Sequence, residues 1–181
     1  MLSLSLLVIC FFSESFAYQT KNTNGDQKHI IPAQKPDLKV LLEALNTTEN
    51  FWLKKLNYPK EYVTCLCFKQ IRLTNDSYEF DEWYLKKEQR KKIPCSATFS
   101  EGPDGPVMNV KLNGAKGERR IPYVLRFWDK KETCGIFTLP SGCEQYVWDS
   151  HAKKTVRACD KAYKRFCGKK RYLMYKRTCK L

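Results

Sequence analysis

The feature that most constrains the fold is a run of five cysteines in the last third of the chain. They are Cys134, Cys143, Cys159, Cys167 and Cys179, and Glu144-Gln145-Tyr146 directly follows the second of them. Upstream lie three more, Cys65, Cys67 and Cys95, while the ninth, Cys10, belongs to an apolar N-terminal segment. Eight cysteines outside that segment indicate a disulfide framework formed in an oxidising compartment.

The N-terminal segment has the pattern of a secretory signal. Residues 2–12 are uncharged and apolar, but a membrane-spanning helix needs about 20 such residues. Ser15-Phe16-Ala17 is typical of a cleavage site, so we expect a signal peptide over 1–17 and a secreted, extracellular mature protein. The alternative is a buried N-terminal strand or helix.

The rest of the chain has the length of one domain. Residues 18–35 are polar and contain Gly25 and Pro32, which predicts a flexible N-terminal arm. Residues 36–181 are expected to form a single folded domain with a hydrophobic core of its own.

The spacing of apolar residues predicts a mainly β domain. Leucines 38, 41, 42 and 45 have helical spacing and predict a short helix after Pro36. Eight short segments with strand periodicity follow between Phe51 and Trp148, separated by turn residues. A second helix is expected over roughly 156–167, capped by Thr155. This order is that of an eight-stranded antiparallel lipocalin barrel, which encloses space for one small ligand.

An ordered set of motifs narrows the fold further. Cys134-Gly135-Ile136 is followed after seven residues by Glu144-Gln145-Tyr146 and after twelve more by Cys159, then by Cys167-Gly168 and Cys179. Upstream stand Trp52-Leu53 and Tyr62-Val63-Thr64-Cys65. Over roughly residues 37–181 this set resembles the salivary lipocalins of ticks, the histamine-binding-protein-like group.

The resemblance implies particular disulfide bonds. It pairs Cys134 with Cys159, and Cys179 with either Cys65 or Cys67. A Cys143–Cys167 bridge and a bridge from Cys95 to the remaining member of the Cys65/Cys67 pair would complete four bonds. Eight cysteines allow 105 connectivities, so the sequence leaves these last pairings open.

The resemblance also implies a small host mediator as ligand, bound in the barrel to suppress host inflammation and haemostasis. Amine-binding members have an aspartate where this chain has Gly135 and a leucine where it has Gln145. Burying a charged amine requires carboxylates placed against it, so the change at Gly135 leaves two ligand classes open. These are a biogenic amine such as histamine or serotonin, and an anionic lipid such as a leukotriene.

The expected pocket combines an aromatic wall with one polar anchor. Glu144 would anchor an amine, with Glu79, Asp81 or Glu82 as a further carboxylate, whereas Arg126 would anchor a fatty-acid carboxylate. The complete set of pocket candidates is Trp52, Phe80, Glu82, Tyr123, Arg126, Phe127, Glu144 and Tyr146. We expect no cofactor and no metal site, and a monomeric protein.

A second hypothesis is a surface-binding lipocalin with no important small ligand. Residues 151–181 contain twelve Lys or Arg and one acid, Asp160. Such a region attracts anionic partners, for example heparan sulfate and other glycosaminoglycans, an anionic membrane surface, or a host plasma protein of clotting or complement. Secretion makes nucleic acid the least expected partner. Alternatively, these charges only solubilise the surface.

Two further patterns concern modification and catalysis. Asn46-Thr47-Thr48 and Asn75-Asp76-Ser77 match the N-glycosylation pattern and predict exposed loops at Asn46 and Asn75. The two histidines, His29 and His151, lie in no catalytic motif, although a small basic protein with eight cysteines invites comparison with pancreatic-type ribonucleases. We therefore expect a binding protein, not an enzyme.

Overall fold

A computed structural model of the protein describes residues 35–113 and 119–180. The helices and strands follow the predicted order along the chain. The expected signal peptide and nearly all of the N-terminal arm lie outside the described residues. The elements are α1 (Leu38–Leu45), β1 (Phe51–Leu56), β2 (Val63–Leu73), β3 (Ser77–Lys86), β4 (Gln89–Gly102), β5 (Gly105–Leu112), β6 (Ile121–Asp129), β7 (Cys134–Leu139), β8 (Gly142–Trp148), α2 (Asp149–Ala152), α3 (Arg157–Cys167) and β9 (Tyr172–Leu173).

Strands β1 to β8 form a closed antiparallel barrel, which confirms the predicted lipocalin fold. Consecutive strands from β2 to β8 pair as neighbours, and β1 pairs with both β8 and β2 to close the wall. In the closing pair Phe51 lies opposite Phe68, and Trp52 lies opposite Cys67. Closure leaves no edge among these eight strands, so their backbone groups are paired within the wall.

The C-terminal segment completes the wall where β1 and β2 diverge. Strand β9 pairs with the end of β1, and the buried residue Met174 then bridges the two strands. The N–H of Met174 donates to the carbonyl of Lys54 at 3.1 Å, and the N–H of Cys65 donates to the carbonyl of Met174 at 2.9 Å. The residues after the second helix are therefore part of the barrel.

Helix α1 closes one end of the barrel. The side chain of Asp37 caps the helix by accepting a hydrogen bond from the N–H of Val40 at 2.9 Å. Leu41 and Leu45 are fully buried and pack into the interior cluster, and the helix contacts β2, β4, β5 and β6. A ligand entrance is therefore expected at the opposite end, where the β1–β2 loop lies.

Apolar side chains are buried on both sides of the barrel wall. The interior cluster includes Phe51, Phe68, Phe80 and Tyr146. A second cluster covers the outer face, where α3 packs on β6, β7 and β8 through residues such as Tyr163.

Helix α3 begins one residue later than expected, and Val156 rather than Thr155 occupies its N-cap position. None of the described helices has the length and apolar character needed to span a membrane.

Three disulfide bonds attach the C-terminal third to the barrel. They join Cys65 to Cys179, Cys134 to Cys159 and Cys143 to Cys167, with Cα–Cα distances of 5.3, 6.2 and 5.4 Å. Cys65, not Cys67, is therefore the partner of Cys179. By chain entropy, closing the Cys65–Cys179 loop of 114 residues stabilises the fold by roughly 4–5 kcal/mol.

The expected fourth bridge, between Cys67 and Cys95, is wrong. Both are buried free thiols, and they lie in different layers. Cys67 belongs to the outer cluster and Cys95 to the interior cluster. Strand β3 separates them, because Trp83 is opposite Cys67 whereas Phe80 is opposite Cys95. Two strand spacings of about 4.8 Å exceed the reach of a disulfide.

Candidate ligand-binding site

The central polar group of the barrel interior is the carboxylate of Glu144. Along β8, Cys143 and Val147 belong to the outer cluster, whereas Tyr146 belongs to the interior cluster. Since side chains alternate along a strand, Glu144 points inward with Tyr146. Both side chains are buried, Glu144 with 0% exposure. An acid in such a position requires compensation for its lost hydration.

Two tyrosine hydroxyls supply that compensation. The hydroxyl of Tyr146 donates to Oε2 of Glu144 at 2.9 Å, and the hydroxyl of Tyr58 donates to Oε1. Hydrogen bonds to an ionised acceptor are stronger than those between neutral groups. Within the described residues Glu144 has no ion pair, so the carboxylate is held by neutral donors.

The surrounding tyrosines remain protonated. Burial raises the pKa of Tyr58, Tyr123 and Tyr146 well above the ordinary value, and the nearby charge of Glu144 raises each further. A neutral phenol keeps its O–H as a donor at physiological pH. The interior around Glu144 therefore has fixed donors.

A second carboxylate, Glu82, points inward from β3. Glu82 alternates with Trp83 and shares its face with Tyr78 and Phe80, both in the interior cluster. It is half-buried and lines a pocket of about 160 Å³. Burial raises the pKa of the Glu82 carboxyl, Glu144 raises it further, and Lys60 opposes both effects.

That pocket lies at the end of the barrel opposite α1. Besides Glu82 it is lined by Lys60, Val63, Leu66, Tyr84 and Lys86. Lys60 belongs to the loop between β1 and β2, as does Tyr58, the donor to Glu144. This loop therefore places one cation and one phenol next to the two interior carboxylates.

Aromatic rings fill much of the interior beside these groups. The Phe68 ring lies 4.6 Å from that of Phe80 and 4.9 Å from that of Tyr146, between centroids. Tyr123 is 6.2 Å from Phe68. The inward orientation predicted for Phe80, Tyr123, Glu144 and Tyr146 is thus present, and their role in ligand binding remains a prediction.

The inward orientation predicted for Trp52 is wrong. Its neighbours Phe51 and Leu53 are in the interior cluster, whereas Trp52 is in the outer cluster. Its indole N–H donates to Oδ1 of Asp149 at 2.6 Å, and its ring lies 5.3 Å from that of Tyr175. Helix α2 and the C-terminal segment cover this part of the outer face, so an outward tryptophan is buried.

Phe127 and Arg126 also lie on the outer face, contrary to expectation. A β-bulge between Leu125 and Phe127 reverses the alternation, so Leu125 is interior while Phe127 packs on the outer cluster. Arg126 forms an ion pair with Asp104 at 2.9 Å, and its guanidinium lies 5.3 Å from the Phe166 ring of α3. Arg126 is therefore not an anchor inside the barrel.

The two positions that depart from the amine-binding pattern have different surroundings. Gly135 alternates with the outward Cys134, and a Cβ there would lie 3.2 Å from the Trp128 ring. Gln145 is buried on the outer face, where its amide donates to Oδ1 of Asp160 at 3.4 Å. The change at Gln145 is therefore outside the barrel, and only Gly135 removes a group from the interior.

A larger surface groove lies beside α1. It has a volume of about 390 Å³, and both expected glycosylation sites, Asn46 and Asn75, line it and are exposed. The groove lies on the outside of the barrel end that α1 closes, whereas the smaller pocket is lined by the inward carboxylate Glu82. The described residues contain no cluster of His, Cys, Asp or Glu suited to a metal ion.

Sequence reasoning missed Tyr58 and Lys60. Both lie in the β1–β2 loop, which has no periodic pattern to indicate which way a side chain points. The fold-back of this loop over the barrel end depends on tertiary contacts, such as the hydrogen bond from Asn57 Nδ2 to the carbonyl of Cys167 at 3.2 Å. The only signal in the sequence was Pro59, which indicates a turn.

The chain is similar to known proteins in sequence pattern and in fold. The family model described as tick histamine binding protein matches residues 33–181. Among solved structures, Japanin from Rhipicephalus appendiculatus, bound to cholesterol, is similar with a TM-score of 0.52 and 15% identity. The match covers 72% of this chain and 95% of the Japanin chain, and at this identity it supports the fold alone. No curated protein matches the sequence.

Proposed function

The chain belongs to the tick histamine binding protein family, and we propose that it sequesters a small cationic amine, such as histamine or serotonin, inside its barrel. Removal of such a mediator from host tissue would suppress inflammation and haemostasis. The observation that carries the proposal is the pair of inward carboxylates, Glu82 and Glu144, among aromatic rings.

The chemistry of the interior favours a cation. A protonated amine is stabilised by carboxylates that are already desolvated, and by aromatic faces. Glu144 supplies a fully buried acid, and Glu82 supplies a second one at the pocket. The tyrosine donors that hold Glu144 keep it oriented before a ligand arrives, which reduces the cost of binding.

The size of the pocket favours a small ligand. A dry cavity of about 150 Å³ is known to hold one benzene ring, and the pocket beside Glu82 has a volume of about 160 Å³. A one-ring or two-ring amine suits this space better than an eicosanoid does.

An anionic lipid is the weaker candidate. Its carboxylate would need a cation inside the barrel, and Arg126, the expected anchor, is on the outer face paired with Asp104. Lys60 and Lys86 line the pocket together with Glu82, and Lys86 is exposed. A lipid carboxylate in the interior would lie against Glu82 and Glu144, and such like-charge contacts are unfavourable.

The proposed site of action is extracellular. Three disulfides suit an extracellular protein, because such bonds persist in oxidising compartments. The signal pattern of residues 1–17 is consistent with secretion.

A matched pair of variants tests the role of the interior acid. Glu144→Gln removes the buried carboxylate, whereas Glu79→Gln makes the same change on an exposed side chain of β3. Calorimetric titration with histamine and serotonin should show an affinity loss of about thirtyfold or more for Glu144→Gln. Glu79→Gln should bind as the unaltered protein does. Full-strength binding by a correctly folded Glu144→Gln variant would remove Glu144 from the site.

A further inference from the structure

We propose that the outer face of α3 is a docking surface for a sulfated glycosaminoglycan chain. The surface, here called the α3 ridge, consists of the exposed basic residues of the helix and its two flanks. Its members are Lys153, Lys154, Arg157, Lys161, Lys164, Arg165, Lys169, Lys170 and Arg171. This surface is separate from the barrel interior and does not depend on the amine proposal.

The helical positions of the ridge lie along one stripe. Arg157, Lys161, Lys164 and Arg165 are spaced i, i+4, i+7 and i+8, so they share a face. At 1.5 Å per residue the stripe is about 12 Å long within the helix. Lys153 and Lys154 precede the helix in the chain, and the exposed run from Lys169 to Arg171 follows it. The stripe within the helix is a line of charge, which suits a linear polyanion.

The one acid in this region does not neutralise the ridge. Oδ1 of Asp160 lies 2.7 Å from Nζ of Lys55, a buried residue of the outer barrel face. Asp160 also accepts the hydrogen bond from Gln145. In the described part of the chain, none of the four helical ridge residues has an ion pair. The charge of the ridge is therefore directed to solvent.

Solubility alone is a poor explanation for this arrangement. Like charges at i, i+4, such as Arg157 with Lys161 and Lys161 with Arg165, destabilise a helix by about 0.2–0.5 kcal/mol each. A solvated helix face that mixes acids and bases avoids this cost. The ridge retains the repulsion, which a bound polyanion would relieve.

The helix is held rigidly beneath the ridge. Cys159 near its start is bonded to Cys134 of β7, and Cys167 at its end is bonded to Cys143 of β8. A rigid array of cations loses less conformational entropy on binding than a flexible tail does.

The surface suits a polysaccharide better than a membrane. Helices that bind membrane surfaces insert an apolar face into lipid. The apolar face of α3 is instead buried against the barrel through Cys159, Ala162 and Tyr163. The half-buried Phe166 has the guanidinium groups of Arg126 and Arg165 at 5.3 Å from its ring. A sulfated glycosaminoglycan is an extracellular polyanion that binds through charge without a lipid phase, which matches a basic surface that has no exposed apolar face among its described residues.

Two quadruple variants of equal net charge provide the test. The ridge variant carries Arg157→Ser, Lys161→Ser, Lys164→Ser and Arg165→Ser. The control variant carries Lys39→Ser, Arg72→Ser, Lys91→Ser and Arg120→Ser, all exposed residues outside the α3 ridge. Each chain, lacking residues 1–17, is titrated with a size-defined heparin oligosaccharide over a salt series. Vesicles of phosphatidylserine and phosphatidylcholine are the second probe.

We expect the unaltered chain and the control variant to bind the oligosaccharide, and the ridge variant to lose at least about tenfold in affinity with a shallower salt dependence. Circular dichroism and thermal unfolding of the ridge variant verify that its barrel is intact, so a failure here is distinct from a failure of the amine proposal. Equal losses in both variants would overturn the proposal, because net charge alone would then explain binding. Binding to vesicles but not to the oligosaccharide would also overturn it and identify a membrane surface.

Discussion

The hydroxyl of Tyr146 donates a hydrogen bond of 2.9 Å to the carboxylate of Glu144, two residues earlier on the same inward face of β8. Both residues are almost completely buried. The pair combines a charge with a donor that burial keeps protonated, since the pKa of Tyr146 is raised well above its ordinary value. This relationship holds the Glu144 carboxylate in place among the aromatic rings of the barrel interior.

Removal of the Tyr146 hydroxyl should destabilise the fold. In Tyr146→Phe the buried carboxylate keeps Tyr58 as its remaining donor, and losing a hydrogen bond to a charged group costs about 1.5–3 kcal/mol. Tyr163→Phe is the comparison, because the hydroxyl of Tyr163 donates to the neutral carbonyl of Lys170 at 3.0 Å. Urea unfolding near pH 7 should show the larger loss for Tyr146→Phe. Equal losses would mean that the hydrogen bond from Tyr146 to Glu144 contributes no more to stability than a hydrogen bond to a neutral carbonyl.

Amine affinity should depend on pH through Glu82. Burial, followed by Glu144, raises the pKa of Glu82 above 4.5, so this side chain holds its proton more tightly when folded than when unfolded. Its contribution to the free energy of unfolding therefore falls as pH rises from about 4.5 through the raised pKa. A bound cation favours the ionised form, so affinity should rise with pH over the same window.

Serotonin is the suitable probe for this dependence, because its amine stays protonated throughout. Titrations from about pH 4 to about pH 8 should show a rise of up to about tenfold per unit within the window. In Glu82→Gln this slope should disappear, although Glu144 is still present. A slope that survives unchanged in Glu82→Gln would place the titrating group elsewhere.

The ammonium group of Lys60 should compete with the amine of the ligand for the Glu82 carboxylate. It lines the same pocket as Glu82 and lowers the pKa of that carboxyl, as a bound amine would. Lys60→Gln should bind serotonin about two- to tenfold more tightly, because a cation no longer repels the amine. Lys86→Gln is the control, since Lys86 lines the pocket but is exposed. Weaker binding by Lys60→Gln would show that Lys60 supports the site.

Thiol titration should find two free cysteines in the chain that lacks residues 1–17. Cys67 and Cys95 are both buried, and burial raises the pKa of each thiol, that of Cys95 to about 12. A thiol reagent should therefore react slowly with the native protein and quickly in denaturant. No reactive thiol in denaturant would mean that the two residues form a disulfide after all.

The inward orientation of Glu144 and Tyr146 depends on a disulfide bond that the resemblance implied but the sequence alone left open. Cys143 is bonded to Cys167 of α3 on the outer face, so alternation along β8 sends Glu144 and Tyr146 inward. The bulge beside Leu125 has no signature in the sequence, and it turned Phe127 outward. Trp52 was misassigned because the outer face is also buried, and residues that alternate between two buried faces do not reveal which face is the interior.

Calorimetric titration of the unaltered mature chain with serotonin, histamine, arachidonate and a leukotriene is the most direct test of amine sequestration by the barrel. We expect at least one of the two amines to bind in the micromolar range or tighter, and both lipids to produce no heat of binding. Tight binding of a lipid with no binding of either amine would contradict the role assigned to Glu82 and Glu144.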